Sequence, residues 1–430
     1  MARLMFTTTG GFQAAPEQAI QPPTVVPCNP ALQQLALARK VLLLQGPVGP
    51  FFDRLTRWLV GNGASVSRVV FHAGDVRDCT ACAPIRFEGQ ADAWPAFFES
   101  LLAELQADAV VLFGQSRRHH AAAIERAQEL GLPVIVLEEG YLRPAFVTME
   151  LGGVNGSSTT LDNYRWEPGA PGLLVHAKKP SSRPEFWEMA GHACRHYWSL
   201  HWGGPLSPDY RHHRQTDVWH HSRYWLWSWA QKHLHLAHDH ACVRRLADRP
   251  YFFVPLQHEG DSQIAHHSPY PEIKAFVADV IESFAVHAPK DCFLVFKTHP
   301  HARGGPSYRP FIRQLSAGQG LAERVLHLVE GHTPTLVKNA QGVVLINSTV
   351  GVQALLRRKP LAVLGNAVYK RPGLYFEGTL DDFWTDAAPP DAWVARQFVE
   401  QLIALTQVPC RIYAKADEPL TWHVQSDEAA

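Results

Sequence analysis

The stretch Leu294-Val295-Phe296-Lys297-Thr298-His299-Pro300 is a short apolar run that ends in polar residues and a proline. Such a run is typical of a buried strand in a parallel sheet. Its carboxyl end, where open α/β sheets bind their ligands, would present Lys297 and His299. Both side chains can donate hydrogen bonds to phosphate oxygens, so this strand end, with Pro300, is a candidate phosphate site. For His299 alone, a histidine that merely closes a turn is the alternative.

A second apolar run, residues 343–346, ends in a similar way at Asn347-Ser348-Thr349-Val350-Gly351. Hydroxyl and backbone N–H groups at a turn from strand to helix also bind anions. Two such strand ends in one domain favour a nucleotide-phosphate site. Other polar residues that follow strands in this half are further candidates to bind the donor: Gln257, Asp261, Ser262, Glu330 and Gly331.

Strands and helices alternate along most of the chain, which predicts α/β architecture with doubly wound parallel sheets. Strands of the first half are expected at residues 40–44, 66–71, 109–113 and 134–137. The alternation resumes at residue 251 and continues to residue 364. Two Rossmann-type domains that face a cleft form the GT-B layout of many glycosyltransferases, and we predict a GT-B-like fold.

Composition divides the chain into five predicted segments. Residues 1–38 are rich in Pro, Gln and Thr and are expected to be a disordered tail, followed by an acceptor-side domain over 39–178. A Trp- and His-rich helical linker or insertion covers 179–247, and the nucleotide-sugar-binding domain covers 248–392. Residues 393–430 should form a helix that crosses back, and a tail. For the tryptophans, packing is the simpler interpretation and contact with lipid headgroups is the alternative.

Two adjacent carboxylates, Glu138 and Glu139, end a predicted strand of the first domain. Side chains alternate along a strand, so only one of them should point at a substrate. That carboxylate could take the proton of an acceptor hydroxyl or attack a sugar, whereas a solvated acidic turn is the alternative. His299 and Lys297 would stabilise charge on a departing phosphate. Loop residues of the same domain are candidates for the acceptor side: Gln45, Gly46, Pro47, Gly49, Arg143 and Asn155.

Bulk properties exclude several classes of protein. The 430 residues are 46% hydrophobic and 19% charged, as in globular proteins of more than one domain. Lys plus Arg and Asp plus Glu both number 40, so we expect no nucleic-acid partner. No apolar run reaches the ~18–20 residues that span a bilayer, and no secretory signal is visible. The seven scattered cysteines favour reduced thiols and a cytoplasmic location.

The sequence suggests no metal site. His235, His238 and His240 have spacings that are common by chance in helices, and no Asp-x-Asp pair ends a predicted strand. We therefore expect a metal-independent reaction with no cofactor.

Several of these motifs together resemble the KpsS/LipB family of bacterial capsule polysaccharide proteins, which are β-Kdo glycosyltransferases. The resemblance covers roughly residues 40–385. Its motifs are LQGPVGPFF (44–52), EEGYLRP (138–144), GGVNG (152–156), PLQ (255–257), DSQI (261–264), FKTHP (296–300), NSTVG (347–351) and LDDFW (380–384).

This resemblance implies transfer of Kdo from CMP-Kdo, as donor substrate, to a lysophosphatidylglycerol-type lipid at the inner face of the cytoplasmic membrane. Glu139, with Glu138 beside it, would be the catalytic acid, and His299 and Pro300 would be the CMP-phosphate motif. Ser348 and Thr349 match the Ser/Thr motif of related CMP-sugar enzymes. Related enzymes often carry Asp in place of Glu139, so its role as base or nucleophile stays open.

Two alternatives remain at this point. One is a non-catalytic accessory protein of capsule export that works with other capsule assembly proteins. The other is a transferase that uses a different CMP-activated sugar acid. For the enzyme, a lipid acceptor without a spanning segment requires peripheral association with the membrane.

Overall fold

A computed structural model describes residues 29–162, 186–212, 218–259, 264 and 267–422 of the chain. Two candidate donor-site residues, Asp261 and Ser262, lie outside the described residues, as does the predicted domain boundary at 178. The helices are α1 (Pro30–Leu37), α2 (Phe51–Gly61), α3 (Ala73–Arg77), α4 (Trp94–Leu105), α5 (Arg118–Glu129), α6 (Phe186–Gly203), α7 (Val218–Arg245), α8 (Ile273–His287), α9 (Arg309–Gly318), α10 (Thr333–Asn339), α11 (Val350–Leu356), α12 (Leu380–Asp386) and α13 (Ala392–Thr406).

The strands form two sheets. They are β1 (Lys40–Leu44), β2 (Ser65–Val70), β3 (Pro84–Arg86), β4 (Ala109–Phe113), β5 (Val134–Glu139), β6 (Phe146–Leu151), β7 (Tyr251–Pro255), β8 (Phe293–Lys297), β9 (Val325–Leu328), β10 (Gly342–Leu345), β11 (Leu361–Val363) and β12 (Gln407–Pro409). The first sheet has the order β12-β6-β5-β4-β1-β2-β3, and the second has the order β11-β10-β7-β8-β9. The predicted pair of doubly wound domains is confirmed.

The second sheet is parallel throughout, so the carboxyl ends of its strands meet at one edge. All five residues of β8 are buried, as the apolar run predicts. Helix α8 covers one face of this sheet with Phe276, Val280 and Phe284, which belong to the same apolar core as Phe296. This packing holds the strands of the second sheet, and therefore their carboxyl ends, in fixed positions.

The first sheet is parallel from β3 to β5, but its far edge is antiparallel. Strand β6, which the sequence analysis did not predict, runs antiparallel to β5. Helix α13 crosses back as predicted, and β12 then pairs antiparallel with β6. Phe398 and Leu402 of α13 share one apolar core with Tyr141 and Phe253, so this crossing contributes to the interface between the domains.

One part of the predicted disordered tail is a helix. Helix α1 begins after Asn29, whose side chain accepts a hydrogen bond from the Leu32 N–H group at 2.9 Å. Ala31, Leu32 and Leu35 are buried, and the Asn29 amide donates to the Met149 carbonyl in β6 at 2.9 Å. Those contacts bury an apolar face, so the prediction was wrong for residues 30–37.

The tryptophans of α6 and α7 are exposed. Trp187, Trp202, Trp219 and Trp229 each expose between 65% and 79% of their surface. The packing role predicted from the sequence is therefore wrong for these residues. None of the described helices combines the length and apolar character needed to cross a bilayer.

Candidate active site

The end of β8 places Lys297 and His299 at the carboxyl edge of the second sheet. Lys297 is only 6% exposed, and its Nζ atom donates to the Thr298 carbonyl at 3.4 Å. Burial lowers the pKa of Lys297, while the nearby carboxylate of Glu330 opposes that shift. A buried ammonium is costly unless an anion compensates it, so the position suits a phosphate oxygen.

His299 is a neutral hydrogen-bond donor in this arrangement. Burial, together with the positive charges of His301, Arg143 and Lys297, lowers its pKa to about 3. Its Nδ1 atom accepts the His301 N–H at 3.2 Å, so the neutral ring carries its proton on Nε2. In the unliganded protein, His299 therefore offers an N–H group that can donate a hydrogen bond to a phosphate oxygen.

Gln257 and Asn347 join two neighbouring strand ends, those of β7 and β10. The Gln257 side-chain amide donates to Asn347 Oδ1 at 2.8 Å. The Asn347 backbone N–H donates back to the Gln257 side-chain oxygen, Oε1, at 3.2 Å. The Asn347 amide also donates to the His267 carbonyl at 3.2 Å. These two predicted site residues are therefore brought together and hold the turn that follows β10.

Ser348 and Thr349 lie at that turn, directly before α11. The Ser348 carbonyl accepts a hydrogen bond from the Tyr369 hydroxyl at 2.5 Å. A Cβ atom at Gly351 would lie 2.3 Å from the Tyr369 ring, so only glycine permits this approach. The turn is thus fixed from behind by Tyr369, with the Ser348 and Thr349 side chains partly exposed.

Glu330 and Gly331 follow β9 and lie next to Lys297. Buried Asp239 of α7 accepts the Glu330 N–H at 2.7 Å, and Glu330 forms an ion pair with Arg303. Gly331 has a φ of +145°, and a Cβ atom there would lie 3.9 Å from Lys297 Cε. Lys297, Glu330 and Gly331, three residues predicted to bind the sugar donor, thus lie next to one another. Arg303, which no sequence motif indicated, contacts the same group through Glu330.

Glu139, at the end of β5, has a defined donor on each carboxylate oxygen. Arg143 pairs with Oε2 at 2.6 Å, and the Tyr413 hydroxyl donates to Oε1 at 2.9 Å. The side chain remains 27% exposed. Glu138 is also partly exposed, and its backbone lies opposite Thr148 in β6. Arg143 and Tyr413 therefore hold the Glu139 carboxylate in a defined orientation.

The loop after β5 is shaped by the crossing segment of the chain. A Cβ atom at Gly140 would lie 2.3 Å from the Phe146 carbonyl oxygen, so this position requires glycine. The Tyr141 N–H donates to the buried Gln407 side chain at 2.9 Å. Gln407 and Tyr413 both follow α13, so the carboxyl-terminal segment positions the first domain's carboxylate.

The two sets of residues face each other across the domains. Arg143, which pairs with Glu139, is close enough for its charge to lower the pKa of His299. At a second contact, a Cβ atom at Gly156 would lie 2.5 Å from the His267 ring. Asn155, whose N–H donates to the Tyr141 hydroxyl at 3.1 Å, lies in the same loop. Sequence motifs from both halves of the chain therefore lie close together where the two domains meet.

The loop after β1 is mainly a structural support. Gln45 is 4% exposed, and its amide donates to Asp75 at 2.9 Å and to the Tyr210 hydroxyl at 2.8 Å. Gly46 lies against the Phe52 ring, Pro47 is buried, and the Gly49 N–H donates to Asp78 at 2.9 Å. An acceptor role for these residues stays a prediction.

Glu150, a buried carboxylate in β6, gives a test of the structure. Burial raises the pKa of Glu150 to about 7, and hydrogen bonds from Ser158 and Thr160 oppose this shift. The unfolded chain releases this proton near pH 4.5, so wild-type stability decreases as the pH rises from about 4.5 to 7.

The Glu150→Gln side chain cannot ionise, so the variant does not lose stability in this way as the pH rises. We expect the variant to gain about 3 kcal/mol on wild type between about pH 5 and pH 8, from 1.36 kcal/mol per pKa unit. Urea unfolding at both pH values measures the difference. Parallel pH profiles for the two proteins would contradict the assignment.

Comparison with known proteins identifies the family. Residues 108–413 match the family described as "Capsule polysaccharide biosynthesis protein". The capsule polysaccharide export protein KpsS of Escherichia coli is 37% identical over 390 residues, which cover 89% of this chain and 99% of KpsS. The chain belongs to this capsule polysaccharide biosynthesis family. The resemblance predicted from the sequence motifs is confirmed.

This family member also matches a second named relative. The capsule polysaccharide modification protein LipB of Neisseria meningitidis serogroup B is 33% identical over 394 residues, 90% of this chain and 94% of LipB. Among solved structures, Thermosulfurimonas dismutans KpsC, beta Kdo 2,4 transferase, is similar over 84% of this chain and 90% of that chain, with 13% identity and a TM-score of 0.42.

Proposed function

We propose that this capsule polysaccharide protein is a glycosyltransferase that moves Kdo from CMP-Kdo to a lysophosphatidylglycerol-type lipid. The observation that carries the proposal is the convergence of Glu139 and Arg143 from the first domain with His299 and Lys297 from the second. A carboxylate that faces phosphate-binding groups across a cleft fits transfer of a sugar from a phosphate leaving group. A different CMP-activated sugar acid would use the same groups.

In the transfer, the bond between the anomeric carbon and the phosphate oxygen breaks, and CMP leaves with the electron pair. The acceptor oxygen forms the new bond to the anomeric carbon. Glu139 either takes the acceptor proton or attacks the sugar first, in which case a second displacement by the acceptor completes the reaction. His299 donates its Nε2–H to the leaving phosphate, and Lys297 adds a second donor. No step requires a metal ion or a cofactor.

The lipid part of the proposal rests on the exposed tryptophans of α6 and α7, here called the aromatic surface: Trp187, Trp198, Trp202, Trp219, Trp225, Trp227 and Trp229. Aromatic side chains favour the boundary between lipid headgroups and acyl chains. The surface adjoins the donor site, because Tyr224 of α7 hydrogen-bonds the His301 carbonyl and the Trp225 and His301 rings are 6.3 Å apart. A protein held on the membrane by this surface would meet a lipid acceptor close to the cleft.

Replacing the most exposed members of the aromatic surface should release the protein from membranes. We expect the combined variant Trp187→Ser, Trp202→Ser, Trp219→Ser and Trp229→Ser to bind phosphatidylglycerol-containing vesicles about tenfold or more weakly, since interfacial binding scales with the buried apolar area. Flotation with vesicles measures this change.

A matched control replaces exposed apolar residues elsewhere, with Leu37→Ser and Val286→Ser, which are 71% and 76% exposed in wild type. These changes should leave vesicle binding unchanged. Equal loss of vesicle binding in both variants, or unchanged vesicle binding by the tryptophan variant, would reject the aromatic surface as the membrane contact.

The donor class is tested by calorimetry with CMP, UDP, GDP and ADP. We expect selective binding of CMP and a matching rise in melting temperature, because a ligand that binds only the folded state stabilises it. Preference for UDP or GDP would keep a transferase but change the sugar donor. No nucleotide binding by folded protein would favour the non-catalytic role in capsule export.

A further inference from the structure

We propose that His72, His196 and His212 form a binding site for a divalent transition-metal ion such as zinc. The three side chains offer ligand atoms that lie within 4.8 Å of one another. The first two imidazoles are buried, and the third is partly buried. No regular spacing in the sequence links them, and they differ from the exposed histidines near residue 238.

The ring geometry fits a shared ion. The His72 ring centre lies 5.2 Å from that of His196 and 5.1 Å from that of His212. Two imidazoles on one zinc ion, with Zn–N bonds of about 2.0–2.1 Å and a tetrahedral angle, have ring centres about 5 Å apart. The rings of His72 and His196 are nearly perpendicular, at 88°, an edge-to-face arrangement that two ligands of one ion can also adopt.

Each of the two buried imidazoles also has an aspartate carboxylate close to one of its ring nitrogens. The Nδ1 atom of His196 lies 2.7 Å from Asp78 Oδ2. The Nε2 atom of His72 lies 3.0 Å from the Gln45 amide nitrogen and 3.4 Å from Asp75 Oδ1. Carboxylates in this position orient metal-binding histidines and fix which nitrogen is available to the ion. They leave His196 Nε2 and His72 Nδ1 as the ligand atoms.

The backbone of α3 brings those two nitrogens to the same place. A Cβ atom at Gly74 would lie 3.0 Å from His196 Nε2, and the next residue's N–H donates to His72 Nδ1 at 3.2 Å. A bound ion would replace that N–H contact. Three protein ligands leave a fourth position for water or another oxygen ligand.

The site would connect three separate segments. His72 follows β2, His196 lies within α6, and His212 follows α6. The segments already touch, because the Leu206 N–H donates to the Phe71 carbonyl at 3.0 Å. An ion here would fasten the helix that carries Trp187, Trp198 and Trp202 to the first domain. It is not part of the transfer step, since β2 and β5 are three strand spacings apart, about 14 Å.

The test uses full-length protein prepared without a histidine tag and dialysed against metal-free buffer. We expect one equivalent of Zn²⁺ to bind tightly, Co²⁺ to give the intense visible absorption of a tetrahedral site, and a chelator to lower the melting temperature. His196→Gln should abolish the Co²⁺ spectrum, whereas the matched change at exposed His240, His240→Gln, should leave it intact.

Asp78→Asn provides a second variant that keeps all three ligands. It should weaken Zn²⁺ binding about 10- to 100-fold, as loss of an orienting carboxylate does elsewhere. Wild-type protein that binds no Zn²⁺ stoichiometrically, or an equal loss in His196→Gln and His240→Gln, would overturn the proposal. This result is separate from the transfer reaction, which should proceed in the presence of a chelator while the protein remains folded.

Discussion

Glu139→Gln should reduce the transfer rate by about 100- to 10,000-fold, the range that general acid–base groups contribute. Glutamine still accepts a hydrogen bond from Tyr413, but its amide can neither take the acceptor proton nor attack the sugar. The proposed phosphate-binding residues lie in the other domain, so CMP affinity should stay within about twofold of wild type. Single-turnover rates and calorimetry measure the two quantities separately.

Glu138→Gln is the matched control, because it changes the neighbouring carboxylate by the same atoms. We expect less than about a tenfold effect on the rate, since only one side chain of an adjacent pair points at the substrate. A large loss in Glu138→Gln with little change in Glu139→Gln would exchange their roles. Equal activity of Glu139→Gln and wild type would remove that residue from the mechanism.

His299→Ala should weaken CMP binding by about 10- to 100-fold. The variant loses a hydrogen bond to a charged phosphate, which contributes about 1.5–3 kcal/mol, and 1.4 kcal/mol corresponds to a factor of ten. The Nε2–H donor exists because Nδ1 accepts the His301 N–H. Calorimetric titration with CMP measures the change directly.

Cytidine, which lacks the phosphate, separates a phosphate contact from a general change in the site. Its affinity should be the same for His299→Ala and wild type. A parallel loss for cytidine and CMP would mean that the substitution disturbs the domain, and unchanged CMP affinity would reject the phosphate role of His299.

Much of the second domain could be predicted from the sequence because its buried parallel strands are continuous apolar runs. The run before Lys297 and the run before Asn347 both form strands of the expected sheet. Each ends in polar residues, and a parallel sheet places all such ends at one edge. A final helix that crosses back to the first domain was also predicted, and α13 is that helix.

Contacts between distant parts of the chain were not predictable. Tyr413 reaches Glu139 across 274 positions, and Gln407 reaches Tyr141 across 266. No local sequence pattern identifies such residues, because the packing of α13 against the first domain determines which residues they contact. Strand β6 was missed for a related reason, because its antiparallel pairing follows a tight loop rather than a helix. The tryptophans of α6 and α7 have no spacing that distinguishes an exposed aromatic side chain from a buried one.

The most direct test of the account is to incubate the protein with CMP-Kdo and lysophosphatidylglycerol in detergent micelles and to analyse the lipid by mass spectrometry. We predict a lipid that carries added Kdo, with release of an equal amount of CMP, and the same product in the presence of a chelator. The Glu139→Gln variant, which should form almost no product, is the negative control. Absence of both products from folded wild-type protein that binds CMP would contradict the proposed reaction.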